Sequence, residues 1–198
     1  MLTNNKYYIK RGILMKKAAL LVMIITIVSK ILGFGREIVL SYVYGASSIT
    51  DAYLISQTIP LTIFAFVSSG VAKGFVPMYS RIRKEYGQLS ANQFTSNLSN
   101  SLLLLASLIV VIVLVFTQPI VKLFATGFTG ETLELAVNFT RITIFGVYFT
   151  AMLHVFAGYL RVHENYIAPA LIGLPMNIII IGSLFISTGT SIYVIAVG

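Results

Sequence analysis

Apolar stretches long enough to cross a lipid bilayer recur along nearly the whole chain, and few folds are open to a chain built that way. A spanning helix needs about 20 largely apolar residues. No water reaches backbone N–H and C=O groups in the hydrocarbon, so each segment must close its own hydrogen bonds, as a helix does. Of 198 residues 57% are hydrophobic and 10% charged, with a mean hydropathy of +0.91, too little polar material to cover a soluble domain. The expected class is an all-α integral membrane protein, a polytopic helix bundle.

Five complete transmembrane helices are expected, over residues 18–44, 52–80, 98–124, 133–160 and 167–187. A sixth begins near Ile192 as IYVIAVG and stops after about seven residues, too few to cross. The expected division is a tail over 1–17 and a transmembrane lobe over 18–198, truncated in helix six, so the chain reads as a fragment or a truncated gene product. Met15 is an alternative start to Met1.

The net charge of +8 would point a soluble protein towards nucleic acid, but here the cations gather in the tail and in alternate connections. Five Lys or Arg precede residue 18, three lie in RIRKEYG (Arg81 to Gly87) and one, Arg161, follows the fourth helix, whereas the intervening connections carry Lys122 alone. By the positive-inside rule the N-terminus is cytoplasmic, and no nucleic-acid partner is expected.

MKKAALLVMIITIV (Met15 to Val28) has the basic start and apolar middle of a signal peptide. No small-x-small cleavage pattern follows it, and the apolar character resumes beyond Arg36. Ser90 with Gln93 forms a capping-box pattern before the third helix, and Thr129 with Glu131 can open the fourth. Pro60, Pro77, Pro169 and Pro175 predict bends in the second and fifth helices.

The absence of cysteine rules out disulfides and thiolate metal sites. His154 and His163 have no partner at ligand spacing, and no Walker-type loop is present. Neither enzymatic activity, a metal, a cofactor nor direct ATP use is expected.

The first helix carries Lys30, Arg36 and Glu37 within two turns, and each ionisable group at mid-membrane costs about 2.5–3.5 kcal/mol on insertion scales. Lys30 and Glu37 share a stripe with Ser41 and Tyr44, next to one formed by Ser29, Gly33 and Arg36. This polar wedge is expected to line water or a ligand; the plainer reading is an ion pair of Glu37 with Lys30 or a neighbouring helix. Arg141 and Lys73 would add cations to the same space, or snorkel to opposite surfaces. A cationic cavity suits an anionic ligand such as a pyrophosphate. Gly70-x-x-x-Gly74 is a weak match to a helix-packing motif.

Ser29-Lys30-Ile31-Leu32-Gly33-Phe34-Gly35-Arg36-Glu37, then Tyr44-Gly45-Ala46 and Thr50-Asp51-Ala52-Tyr53, closely resemble the first-helix signature of the MurJ, or MviN, family of bacterial lipid II flippases. GFVPMYS (Gly74 to Ser80), GFTGETLELAVNFTRI (Gly127 to Ile142) and GYLRVHENYIAPAL with Asn177 resemble the family's later landmarks, in order. The resemblance implies the first lobe of a two-lobe transporter of about fourteen helices, in the superfamily of multidrug and polysaccharide exporters. It implies a flippase of the inner membrane that binds lipid II from the cytoplasm by its pyrophosphate and releases it outward by alternating access, with a C-terminal lobe in the intact protein.

Carried over by position, Arg36 matches a cavity arginine and Lys30 stands where arginine is usual, keeping the charge but not the bidentate fork. Glu37 and Asp51 match acidic cavity or gating positions, and Arg141 joins the expected cationic set. Many members carry two arginines and a glutamate in the second helix, where this chain reads LTIFAFVSSG (Leu61 to Gly70), without charge. The alternatives are an exporter of another polyprenyl-linked glycan, a multidrug extruder of the same superfamily, and a non-transporting remnant.

Overall fold

The structure is a computed structural model that describes residues 2–197, with side chains from Lys16 to Val197. Among these the chain is helical, with no strand. The elements are α1 (Leu2–Tyr44), α2 (Ser48–Val115), α3 (Thr117–Phe124), α4 (Gly130–Thr143), α5 (Gly146–Val162), α6 (Ile167–Leu171), α7 (Gly173–Gly189) and a terminal 3-10 turn, Ile192–Ala196. Helix α1 starts upstream of residue 18, where the sequence placed its first helix. The tail cations Lys6, Lys10 and Arg11 have side chains outside the described residues.

Helix α2 joins the expected second and third helices. Its 68 residues would span about 100 Å if straight, at 1.5 Å per residue, but Gly87 breaks the run with φ +87° and ψ 175°, a conformation open to glycine almost alone. The limbs on either side fold back into one core that includes Phe64, Phe75, Tyr79, Ala91, Leu102, Ala106 and Val110. Ser90 therefore does not cap a helix: it lies inside α2, its hydroxyl donating to the Tyr86 carbonyl. Helix α2 ends at Val115 because Pro119, four residues on, has no N–H for that carbonyl and its ring would clash with it.

Thr129 is the residue before α4, and its side chain makes no capping bond; Glu131 in the first turn is favoured by the helix dipole. Helices α4 and α5 bend by 41° at their junction, and α6 and α7 meet at Ile172, two residues after Ala170 and three before Pro175. By length and composition Lys16–Tyr44, Ser48–Val115 and Ile167–Gly189 are apolar enough to cross a membrane, and the bent α4–α5 pair adds a fourth candidate. Instead of starting a sixth α-helix, Ile192–Ala196 makes a 3-10 turn. Its Ile195 and Ala196 are buried in a second core with Leu40, Ala52, Tyr53, Phe139 and Leu184, which holds the chain close against α4 and α7.

Two layers result. Helices α4 and α5 pack on α2, whereas α1 lies chiefly against α6 and α7 and touches α2 lightly. The most apolar stretch of α1 is unburied, with Leu20, Met23, Ile27, Ile31 and Phe34 exposed.

Candidate functional site in the first helix

Helix α1 meets α6 and α7 along a seam of small and polar residues. Asn177 donates from Nδ2 to the Gly173 carbonyl at 2.7 Å and to the Ser29 carbonyl at 3.4 Å. A Cβ at Gly33 would sit 3.7 Å from Asn177 Oδ1, and one at Gly173 would lie 2.3 Å from Ser29 Oγ. Further along, the Tyr44 and Ser187 hydroxyls share a hydrogen bond. Ser29 thus pairs with Gly173, Gly33 with Asn177 and Tyr44 with Ser187, so the two helices run parallel.

This corrects one part of the expected wedge. Ser29, Gly33 and Tyr44, read from the sequence as lining for water or ligand, are the packing face towards α7. A polar group there is satisfied by its neighbour helix, which is how such residues join helices in lipid.

The charged residues flank that seam. Arg36 and Glu37, adjacent in sequence, form an ion pair with side chains 32% and 46% exposed. Glu37 therefore pairs with neither Lys30 nor another helix, and Lys30 stands exposed as the net cation of this face. Tyr53, buried at the start of α2, lies near Gln57 and within electrostatic reach of Arg36 and Glu37. The sequence reading gave neither Tyr53 nor Gln57 a role; their i, i+4 spacing beside an acidic first turn was the available signal.

Asp51 is exposed in the first turn of α2, where Ser47 accepts from the Thr50 N–H and the helix dipole favours negative charge. Arg141 is exposed in the last turn of α4, where the dipole favours positive charge. Helix α4 packs on α2, α3 and the terminal turn, so the packing brings Arg36 and Glu37 together but sets Arg141 on the other layer. Lys73 is exposed on α2, and a Cβ at Gly70 or Gly74 would meet nothing within 4 Å.

The histidines are held by their own helix. His154 Nδ1 donates to the Thr150 carbonyl at 2.7 Å and His163 Nδ1 to the Tyr159 carbonyl at 2.9 Å. No group of three His, Asp or Glu able to hold a metal occurs among the described residues.

The family model described as lipid II flippase MurJ matches residues 40–198; Lys30, Arg36 and Glu37 precede the matched segment. A probable lipid II flippase MurJ of Thermotoga maritima is 33% identical over 165 residues, 81% of this chain and 34% of that protein. The lipid II flippase MurJ of Thermosipho africanus is 30% identical over 172 residues, 86% of this chain and 35% of its own length. A solved structure of lipid II flippase MurJ in an inward closed conformation superposes with a TM-score of 0.77 at 29% identity, covering 90% of this chain and 38% of that one. The chain thus spans about a third of the length of the curated relatives it matches.

Proposed function

This chain belongs to the lipid II flippase MurJ family, and from that premise we propose that it forms part of the N-terminal lobe of a flippase that carries undecaprenyl-pyrophosphate-linked peptidoglycan precursor across the bacterial inner membrane. The fold likeness to an inward closed lipid II flippase over 90% of the chain carries the proposal. Residues 1–17 are the cytoplasmic tail and 18–198 the lobe. Five crossings are α1, the two limbs of α2 with α3 completing the second, α4–α5, and α6–α7; the terminal turn leads into a sixth.

Lys30 and Arg36 on α1 supply cations for the pyrophosphate, whose oxygens suit the arginine fork best, and Arg141 adds to them from the other layer only when the lobe closes on substrate. In the observed state Arg36 is occupied by Glu37, so substrate must compete with that carboxylate. When phosphate takes Arg36, the Glu37 carboxylate stays in the site without its partner, so the cation of Lys30 offsets part of the charge the substrate brings. Glu37 and Asp51 act as the acidic gating groups. A C-terminal lobe closes the other side of the cavity during alternating access.

The test is depletion of the intact protein in its own cells, with lipid II quantified in membrane extracts. Lipid II accumulation followed by lysis is the expected result. Normal lipid II with drug hypersensitivity would overturn the assignment in favour of a multidrug extruder, and accumulation of another polyprenyl-linked glycan would identify an exporter of that glycan.

A further inference from the structure

The turn of the α2 hairpin lies beyond the long apolar run of its second limb. In the limb after Gly87 the continuous apolar run begins near Leu102, leaving residues 88–100 as a polar stretch of helix. Those 13 residues span about 20 Å, whereas the headgroup zone on each side of the hydrocarbon is about 5–8 Å deep. The tip therefore projects about 12–15 Å beyond the headgroups.

The projecting end is rigid. Tyr79, fully buried, donates its hydroxyl to Asn92 Oδ1 at 3.2 Å and accepts from Gln88 Nε2 at 2.7 Å, tying the limbs on either side of Gly87. Its ring stacks on Phe75 at 5.7 Å and meets Tyr159 of α5 edge-on at 5.8 Å.

The surface this end presents is basic and partly apolar. Arg83 and Lys84 are exposed, beside Tyr86 at 70% and Leu89 at 74% exposure. The positive-inside rule accounts for the cations. It does not account for a large aromatic and a leucine held in water, beyond the reach of the same bilayer. Exposed Tyr and Arg are residue types enriched at protein-binding surfaces, Leu89 adds apolar area beside them, and a rigid hairpin loses little freedom on docking.

We propose that the α2 hairpin tip, through Arg83, Lys84, Tyr86 and Leu89, is a docking surface for an acidic segment of a soluble protein on the side of the membrane that holds the N-terminus. The sidedness rests on the orientation proposed above; everything else rests on the hairpin itself.

The test uses the full-length protein in its native membranes with a photo-crosslinking phenylalanine analogue at position 89, and the captured segment mapped by mass spectrometry. In parallel, the protein in phosphatidylcholine nanodiscs is titrated with a fluorescent Glu/Leu peptide. The expected result is a crosslink to a net-acidic segment of a separate protein, lost in R83E/K84E, together with peptide binding weakened at least tenfold by R83E/K84E and also reduced by Y86A. Crosslinks confined to lipid or to the protein's own chain, a crosslink that survives charge reversal, or peptide binding indifferent to all three substitutions would overturn it. A membrane-impermeant thiol label on Leu89→Cys in intact and lysed cells reads the sidedness separately: protection in intact cells supports the stated side, and labelling there overturns it.

Discussion

The close approach of α5 to α2 makes the sharpest stability test. A Cβ added at Gly158 of α5 would fall 2.7 Å from Phe75 Cδ1, 3.0 Å from Cγ and 3.3 Å from Cβ. The ring has little room to retreat: Phe75 is 1% exposed, with Tyr79 and Phe94 centred 5.7 and 5.9 Å away. Overpacking of this kind costs about 1–3 kcal/mol, and replacing glycine by alanine within a helix returns about 0.5–1 kcal/mol. Gly158→Ala should therefore destabilise by up to about 2.5 kcal/mol, or up to about 60-fold in the folding equilibrium. Gly182→Ala in α7 meets nothing within 4 Å and should stabilise by about 0.5–1 kcal/mol. Reversible unfolding of the intact protein in mixed micelles measures both. Adding Phe75→Leu to Gly158→Ala should recover about 1 kcal/mol relative to the sum of the single changes. Equal stability of the two alanine variants, or strict additivity with Phe75→Leu, would show that the two helices do not meet as described.

Three further outcomes follow from the geometry. Ser29→Cys with Gly173→Cys places Cβ atoms 3.5 Å apart, within the disulfide range of about 3.5–4.5 Å; mild oxidation should block maleimide tagging of both, and persistent tagging would refute the parallel α1–α7 seam. Gly87→Val should cost about 1–3 kcal/mol, because a branched residue does not fit φ +87°, ψ 175°. Trypsin should then cut faster at Arg81, Arg83 or Lys84 than in the parent, and unchanged cleavage would mean that the turn is not strained. Arg36→Ala in the intact protein should abolish transport while preserving membrane insertion, and full rescue of cell-wall growth by that variant would remove Arg36 from the site.

The helices were legible because hydropathy acts over whole segments: the expected 18–44, 133–160 and 167–187 each fall within α1, α4–α5 and α6–α7. The connection over 81–97 was not, because its polar residues read as a loop while forming helix on both sides of one glycine. Arg81 and Glu85, one turn apart at 3.0 Å, support that helix, and Gly87 alone makes the turn. Pro119 was passed over for the opposite reason: it lies in an apolar run, where its missing donor leaves no mark on hydropathy.

The face of α1 is the harder case. Both stripes carry polar residues, so α1 by itself does not say which one meets another helix. The deciding information lies about 140 residues away, where Gly173-x-x-x-Asn177 repeats the small-and-polar spacing of Ser29-x-x-x-Gly33. Once that seam takes Ser29, Gly33 and Tyr44, the charges left on α1 beyond Lys17 are Lys30 and a pair that cancels itself. An apolar span with one uncompensated cation and one neutralised pair is easier to hold in a membrane than one with three separate charges. The same pairing leaves Arg36 half-exposed beside Glu37, so a phosphate that takes Arg36 must displace a carboxylate that stays in place, and Lys30 is the cation left to offset it.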